Sequence, residues 1–123
     1  MTFDTHLLDE ALLRRADALE HDRQTTLARI TTMLEQLGAP YGIERAWIFG
    51  SVTRPNRFTQ HSDVDIAVET INPNDLLDAL SAFSNYLERD VDLVVLNKCH
   101  FAHRIRSEGR LWTKTQVLSS ASI

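Results

Sequence analysis

Two carboxylates stand two residues apart in Ser62-Asp63-Val64-Asp65, at the opening of an apolar run that continues Ile66-Ala67-Val68. Side chains of an extended strand repeat every two residues. Asp63 and Asp65 therefore share one face, while Val64, Ile66 and Val68 point to the other, toward a core. Asp92 opens a further apolar run, Val91 to Leu96, and joins the pair if that strand lies alongside. Like charges gathered this way repel unless a cation sits between them. Hard divalent ions prefer carboxylate oxygens, and two of them about 3.5–4 Å apart can stabilise both the attacking and the leaving oxygen of a displacement at phosphorus. Upstream, Trp47-Ile48-Phe49 ends in Gly50-Ser51. Gly50 lacks the Cβ that would keep a phosphate from the backbone. Ser51 adds a hydroxyl and, at a helix start, free N–H groups. Arg54 offers a forked donor to a triphosphate, and Ser62 is placed to bond phosphate or to orient Asp63. The set suits nucleotidyl transfer, in which a protein mainly positions its substrates and neutralises charge.

The elements that must hold these residues can be read from pattern. Residues 4 to 37 contain neither Gly nor Pro and read as helix. Leu8, Leu12 and Leu19 form one stripe, and Leu27, Ile30, Leu34 and Leu37 another. The polar stretch from His21 to Thr26 leaves open whether this is one helix or two. Gly38 suits a C-terminal cap and Pro40 ends the helix. Arg45 to Phe49 reads as a first strand, Val52 to Ser62 as a helical turn and then a loop, and Asp63 to Glu69 as a second strand. Asn72-Pro73 resembles a helix start, followed by the amphipathic spacing of Leu76, Leu77, Leu80, Phe83 and Leu87. Val91 to Leu96 is a third strand, Cys99 to Glu108 a short helix closed by Gly109, and Leu111-Trp112 an edge strand. The tail from Gln116 to Ile123 carries no signal. Strands and helices in this order predict an α+β domain, a small mixed sheet packed against helices.

The bulk properties narrow the class. At 123 residues the chain suits one domain, here taken as 1–123 with 1–23 as an N-terminal helical extension. A hydrophobic content of 43% with 24% charged residues allows a core and a soluble surface. No apolar stretch approaches the ~20 residues a bilayer requires, and the first residues lack the basic start of a secretory signal. Cys99 is the single cysteine, so no internal disulfide forms. These features predict a cytoplasmic protein. A net charge of −4 argues against general nucleic-acid binding, which calls for a basic surface. Local basic patches remain open around Arg54 and Arg57, or around Arg104, Arg106 and Arg110.

The composite of Trp47-Ile48-Phe49-Gly50-Ser51, Arg54, Ser62-Asp63-Val64-Asp65-Ile66-Ala67-Val68 and Val91-Asp92-Leu93-Val94 resembles the minimal nucleotidyltransferases of the polymerase-β-like superfamily. The stretch Ile105 to Trp112 is similar to that family's last helix and strand. The resemblance covers roughly residues 25 to 113, most of a domain. It implies the polymerase-β-like fold, ATP as substrate and two Mg2+ ions. It further implies Asp63 and Asp65 as metal ligands, Asp92 as ligand of the second metal and helper of the acceptor, and Gly50, Ser51, Arg54 and Ser62 as nucleotide-binding residues. The chain departs from the family in a loop one residue longer between Ser51 and Asp63, and in Pro55, where glycine is common.

Short stand-alone members resemble the antitoxin partner of HEPN-domain ribonuclease toxins, which transfers AMP to a toxin tyrosine. A chain this small leaves its acceptor site to be completed by another chain, so the resemblance implies a protein partner and a hetero-oligomer, with the negative surface matching a basic toxin. Two alternatives remain: an antitoxin that neutralises by binding alone, and transfer to a small molecule. Other residues read more plainly. His100 and His103 could reach one metal, but a solvated helix face is the better account. His61 is a loop histidine, and Trp47 and Phe49 are core residues before they are a base pocket.

Overall fold

The fold was taken from a computed structural model in which residues 5–115 are described. The tail beginning at Gln116 lies outside them, as do the first four residues of the N-terminal extension. Helix α1 spans His6–Leu37 without a break, which settles the choice between one helix and two. The polar stretch that left the question open is where the helix enters the domain. There Arg23 and Thr26 are themselves buried, and Arg23 lies against Glu20, its Nε donating to Oε2 at 2.7 Å. Beyond that point the N-terminal half projects, and Leu7, Leu8, Leu12 and Leu13 are exposed.

Four strands complete the sheet: β1 (Arg45–Phe49), β2 (Val64–Val68), β3 (Val91–Val95) and β4 (Arg110–Thr113), with α2 (Leu76–Leu87) between β2 and β3 and α3 (Ala102–Glu108) between β3 and β4. The sheet order is β3-β2-β1-β4. β2 and β3 run parallel, as a strand–helix–strand crossover requires, whereas β1 is antiparallel to both β2 and β4. This is the small mixed sheet expected from the sequence.

One sheet face carries the main core. Leu27, Ile30, Met33 and Leu34 of α1 and Ala79, Phe83 and Leu87 of α2 close over Ile48, Val64, Ile66, Val68 and Trp112. The even positions of β2 face this layer, as their alternation predicts. The opposite face is covered only in part. Ala67, Leu96 and Ile105 form a small second cluster there, with Trp47, Phe49 and Val94 packed against it. Trp47 Nε1 donates to Glu69 Oε1 at 3.0 Å, and Arg106 donates to both Glu69 oxygens at 3.0 and 2.8 Å, which fastens α3 to the sheet. No helix among the described residues is long and apolar enough to cross a membrane.

Several boundaries differ from the sequence reading for local reasons. The second helix begins at Leu76, not at Asn72. Asn72 is instead a brace between loops: its backbone N–H donates to Tyr41 O at 2.8 Å and its side-chain amide to Pro40 O at 3.1 Å. β2 starts at Val64, so Asp63 stands immediately before it. β3 ends at Val95, because Leu96–Lys98 closes into a single 3-10 turn. The last helix starts at Ala102 rather than Cys99, whose N–H is taken by Leu96 O.

Arg89, which drew no notice in the sequence, organises the loop before β2. Its Nη1 donates to the carbonyls of Thr59, Gln60 and Ser62 at 3.0–3.2 Å, its Nη2 to Asp22 at 2.7 Å, and its guanidinium lies 4.4 Å from the Phe58 ring centroid. Three carbonyls lose their donor if it is removed. Arg89→Ala should therefore lower unfolding free energy in a urea titration by about 2–3 kcal/mol, and Arg89→Lys, which cannot fork, by a large part of that.

Candidate active site

β1 ends, and β2 and β3 begin, at one edge of the sheet. The register sets Phe49 opposite Asp65 and Asp65 opposite Asp92. Alternation puts these three on the partly covered face, together with Trp47, Ala67 and Val94 of the second cluster. The cover supplied by α3 stops at that cluster, so the acidic end of the row is left open. Asp65 is half-buried, while Asp63 and Asp92 are exposed. Burial, then the neighbouring charges of Asp92 and Asp63, push the Asp65 carboxyl up to about 6.

The Gly50 turn adjoins this row. Gly50 has φ +79°, and a Cβ built on it would run into the Asp65 carboxylate. The sequence offered one reason for glycine, room for phosphate; the structure supplies another, room for the carboxylate beside it. The next residues, Ser51–Thr53, form a single 3-10 turn rather than the start of a longer helix. It is held by Thr53, whose N–H and hydroxyl both donate to Gly50 O, at 3.1 and 2.7 Å. From behind, the buried Arg23 donates to Val52 O at 3.1 Å. Anion attraction at this turn must come from nearby cations more than from a helix dipole.

Those cations line a cavity of about 550 Å³ on the α3 side of the turn. Gly50, Ser51 and Arg54 contribute to its wall, joined by Arg57, Phe101 and Arg104. The structure thus brings together Gly50, Ser51, Arg54, Asp65 and Asp92, with Asp63 immediately before β2. Ser62 Oγ accepts from Thr59 N–H at 2.8 Å and lies 3.1 Å from Thr59 Oγ1, closing the loop before Asp63 on itself. Arg57 was read with Arg54 as an open basic patch and Arg104 as part of another; Phe101 was missed, and nothing in the spacing relates Phe101 or Arg104 to residue 50. His61, His100 and His103 are exposed.

Among the described residues no three His, Cys, Asp or Glu side chains are gathered into a ready-made metal cage. The acid row still fits Mg2+. Its donors are carboxylate oxygens at an open strand edge, and Asp65 carries a charge that its neighbours oppose. Such an ion keeps several waters and takes substrate phosphate oxygens, so it does not need a closed cage of side chains.

The family model described as "Polymerase beta, Nucleotidyltransferase" matches residues 29–116, more than half of the chain. The chain belongs to this nucleotidyltransferase family. Its mixed sheet, glycine turn and paired acids are the polymerase-β nucleotidyltransferase fold, as the sequence resemblance implied. A chain from a crystal structure of a mutant toxin–antitoxin MntA-HpeT is similar to it, with 28% identity and a TM-score of 0.53 over 72% of each chain. No functionally curated protein matches.

The raised Asp65 sets a pH dependence. Its folded value of about 6 exceeds the ~3.9 of an unfolded aspartate, so the folded state holds the proton more tightly. Without divalent metal, stability should fall as pH rises through that window. The loss is about 1 kcal/mol once solvent screening of a half-exposed group is allowed for. Asp65→Asn should abolish the slope and raise the melting temperature in EDTA at pH 7.5 by about 4 °C, measured by differential scanning calorimetry.

Proposed function

We propose that this nucleotidyltransferase moves AMP from Mg·ATP to a hydroxyl of a partner protein, a tyrosine of a HEPN-type ribonuclease toxin, and so acts as its antitoxin in the cytoplasm. The observation that carries the reading is the row Phe49–Asp65–Asp92 set against the Gly50 turn and an arginine-lined cavity. Family membership supports the reaction class, and likeness to a chain of a toxin–antitoxin structure supports the partner class.

In this reading Gly50 and Ser51 receive the triphosphate backbone to backbone, and Arg54 neutralises it from the cavity side. Asp63 and Asp65 would hold the nucleotide's metal, and Asp92 the second; bound there, the two ions would supply charge neutralisation to the transferring phosphate and the departing pyrophosphate. Asp92 is assigned the help that removes the acceptor proton. The acceptor oxygen forms its bond to the α-phosphorus, the α–β bridge breaks, and pyrophosphate leaves with the electron pair. The projecting half of α1 lies outside the matched domain and exposes Leu7, Leu8, Leu12 and Leu13; we assign the partner contact to it.

Incubation of the protein with Mg·ATP and its genetically adjacent protein should add one AMP mass to that neighbour, read by intact mass spectrometry. The double variant Asp63→Asn, Asp65→Asn should still fold and still bind the neighbour, with transfer reduced by at least about 10³-fold. A stable complex that neutralises the toxin without any adduct would replace the enzyme by a binding antitoxin. Adducts on small molecules in the absence of the neighbour would move the acceptor class. Leu8→Glu with Leu12→Glu should weaken the complex at least tenfold in a pull-down titration while leaving ATP binding intact.

A further inference from the structure

The cavity beside Gly50 holds an anion of its own. Glu108, the last residue of α3, places Oε2 at 3.5 Å from Arg54 Nη2 and at 3.3 Å from Arg104 Nε. One carboxylate oxygen thus meets Arg54 beyond the Gly50 turn and Arg104 one turn earlier on its own helix, and Arg57 lines the cavity as a third cation. Three arginines against one glutamate leave the cavity two charges positive in a chain whose net charge is −4. Arg54, Arg104 and Glu108 are all at least half exposed on their side chains. Exposed pairs of this kind are weak and easily exchanged. A phosphate offers the same arginines more charge and more acceptor oxygens than a carboxylate does.

We infer that Glu108 is a resident competitor for the phosphate site: it pairs Arg54 with Arg104 when no nucleotide is bound, yields them to the incoming phosphates, and takes them back as pyrophosphate departs. The inference rests on the nucleotidyl-transfer reading and adds a positioning residue to it. Glu108 does not touch the reacting phosphorus. It acts through Arg54 and Arg104, lowering affinity for every ligand that uses them and hastening release of the anionic product.

The consequence is specific to phosphate-bearing ligands. Glu108→Gln keeps the shape and removes the competing charge. By isothermal titration calorimetry of the full chain with Mg2+, it should tighten binding of pyrophosphate and of a non-hydrolysable ATP about threefold to tenfold, and leave adenosine unchanged. In turnover with the partner it should lower KM for ATP and deepen inhibition by pyrophosphate, with kcat falling as release slows. Arg104→Gln should weaken pyrophosphate in the opposite sense. Equal pyrophosphate affinity in wild type and Glu108→Gln would overturn the inference, as would a gain for adenosine as large as that for pyrophosphate. A wild-type chain that binds no ATP would instead overturn the nucleotide reading itself, so the two failures are told apart.

Discussion

The contact on which the rest depends is the close approach of Asp65 to the Gly50 turn, with Asp92 opposite in the next strand. A half-buried carboxylate is set against backbone on one side and a like charge on the other. That arrangement opposes folding slightly, and nothing in the packing relieves it. It persists because the surrounding strands are fixed by a core that does not include it: the even residues of β2, all buried, decide the register, and the odd residues conform to it. Under the proposed nucleotidyl transfer, a divalent cation is what would offset these opposed charges.

Around that contact two arginines, one buried and one partly buried, set the posture of the loops. Arg23 holds the turn after Gly50 from the α1 side, and Arg89 holds the loop that delivers Asp63. Both are anchored by acids on α1, Glu20 and Asp22. The same helix therefore supports the Gly50 turn and the acidic strand start from below, and any tilt of α1 would shift both. On the upper side, Glu69 ties Trp47 and Arg106 together and thereby sets how far α3 reaches over the sheet. The acid row is open because that reach ends at Ala67 and Val94.

How much of this could be read from the chain depended on distance in sequence. Asp63, Asp65 and Asp92 were legible because period-two alternation and strand openings are local signals. The same holds for Gly50, which ends an apolar strand, and for the mixed sheet itself. Arg89 and Arg23 were not legible: the carbonyls they hold lie 27–30 and 29 residues away, and a lone arginine has no pattern. Ser62 was read as bonding phosphate or orienting Asp63 because it precedes an acid; its contacts to Thr59 are set by the loop's own closure and carry no sequence signal. Asn72-Pro73 matched a helix-start motif, yet tertiary bonds to Tyr41 and Pro40 hold Asn72 outside the helix. The cavity wall formed by α3 was illegible for the same reason as the arginines, since only the fold brings residues 101–108 to residue 50.

The proposed metal role of Asp65 requires that its opposed charge be relieved by a divalent ion. Carbon-13 NMR of the Asp65 side-chain carboxyl, tracked from pH 3 to 8, tests it at the atom concerned. In EDTA the midpoint should lie near 6, as burial and the two neighbouring acids require. In saturating Mg2+ it should fall below the ~3.9 of a free aspartate. A midpoint that stays near 6 in Mg2+, or that is already near 4 without metal, would contradict the account.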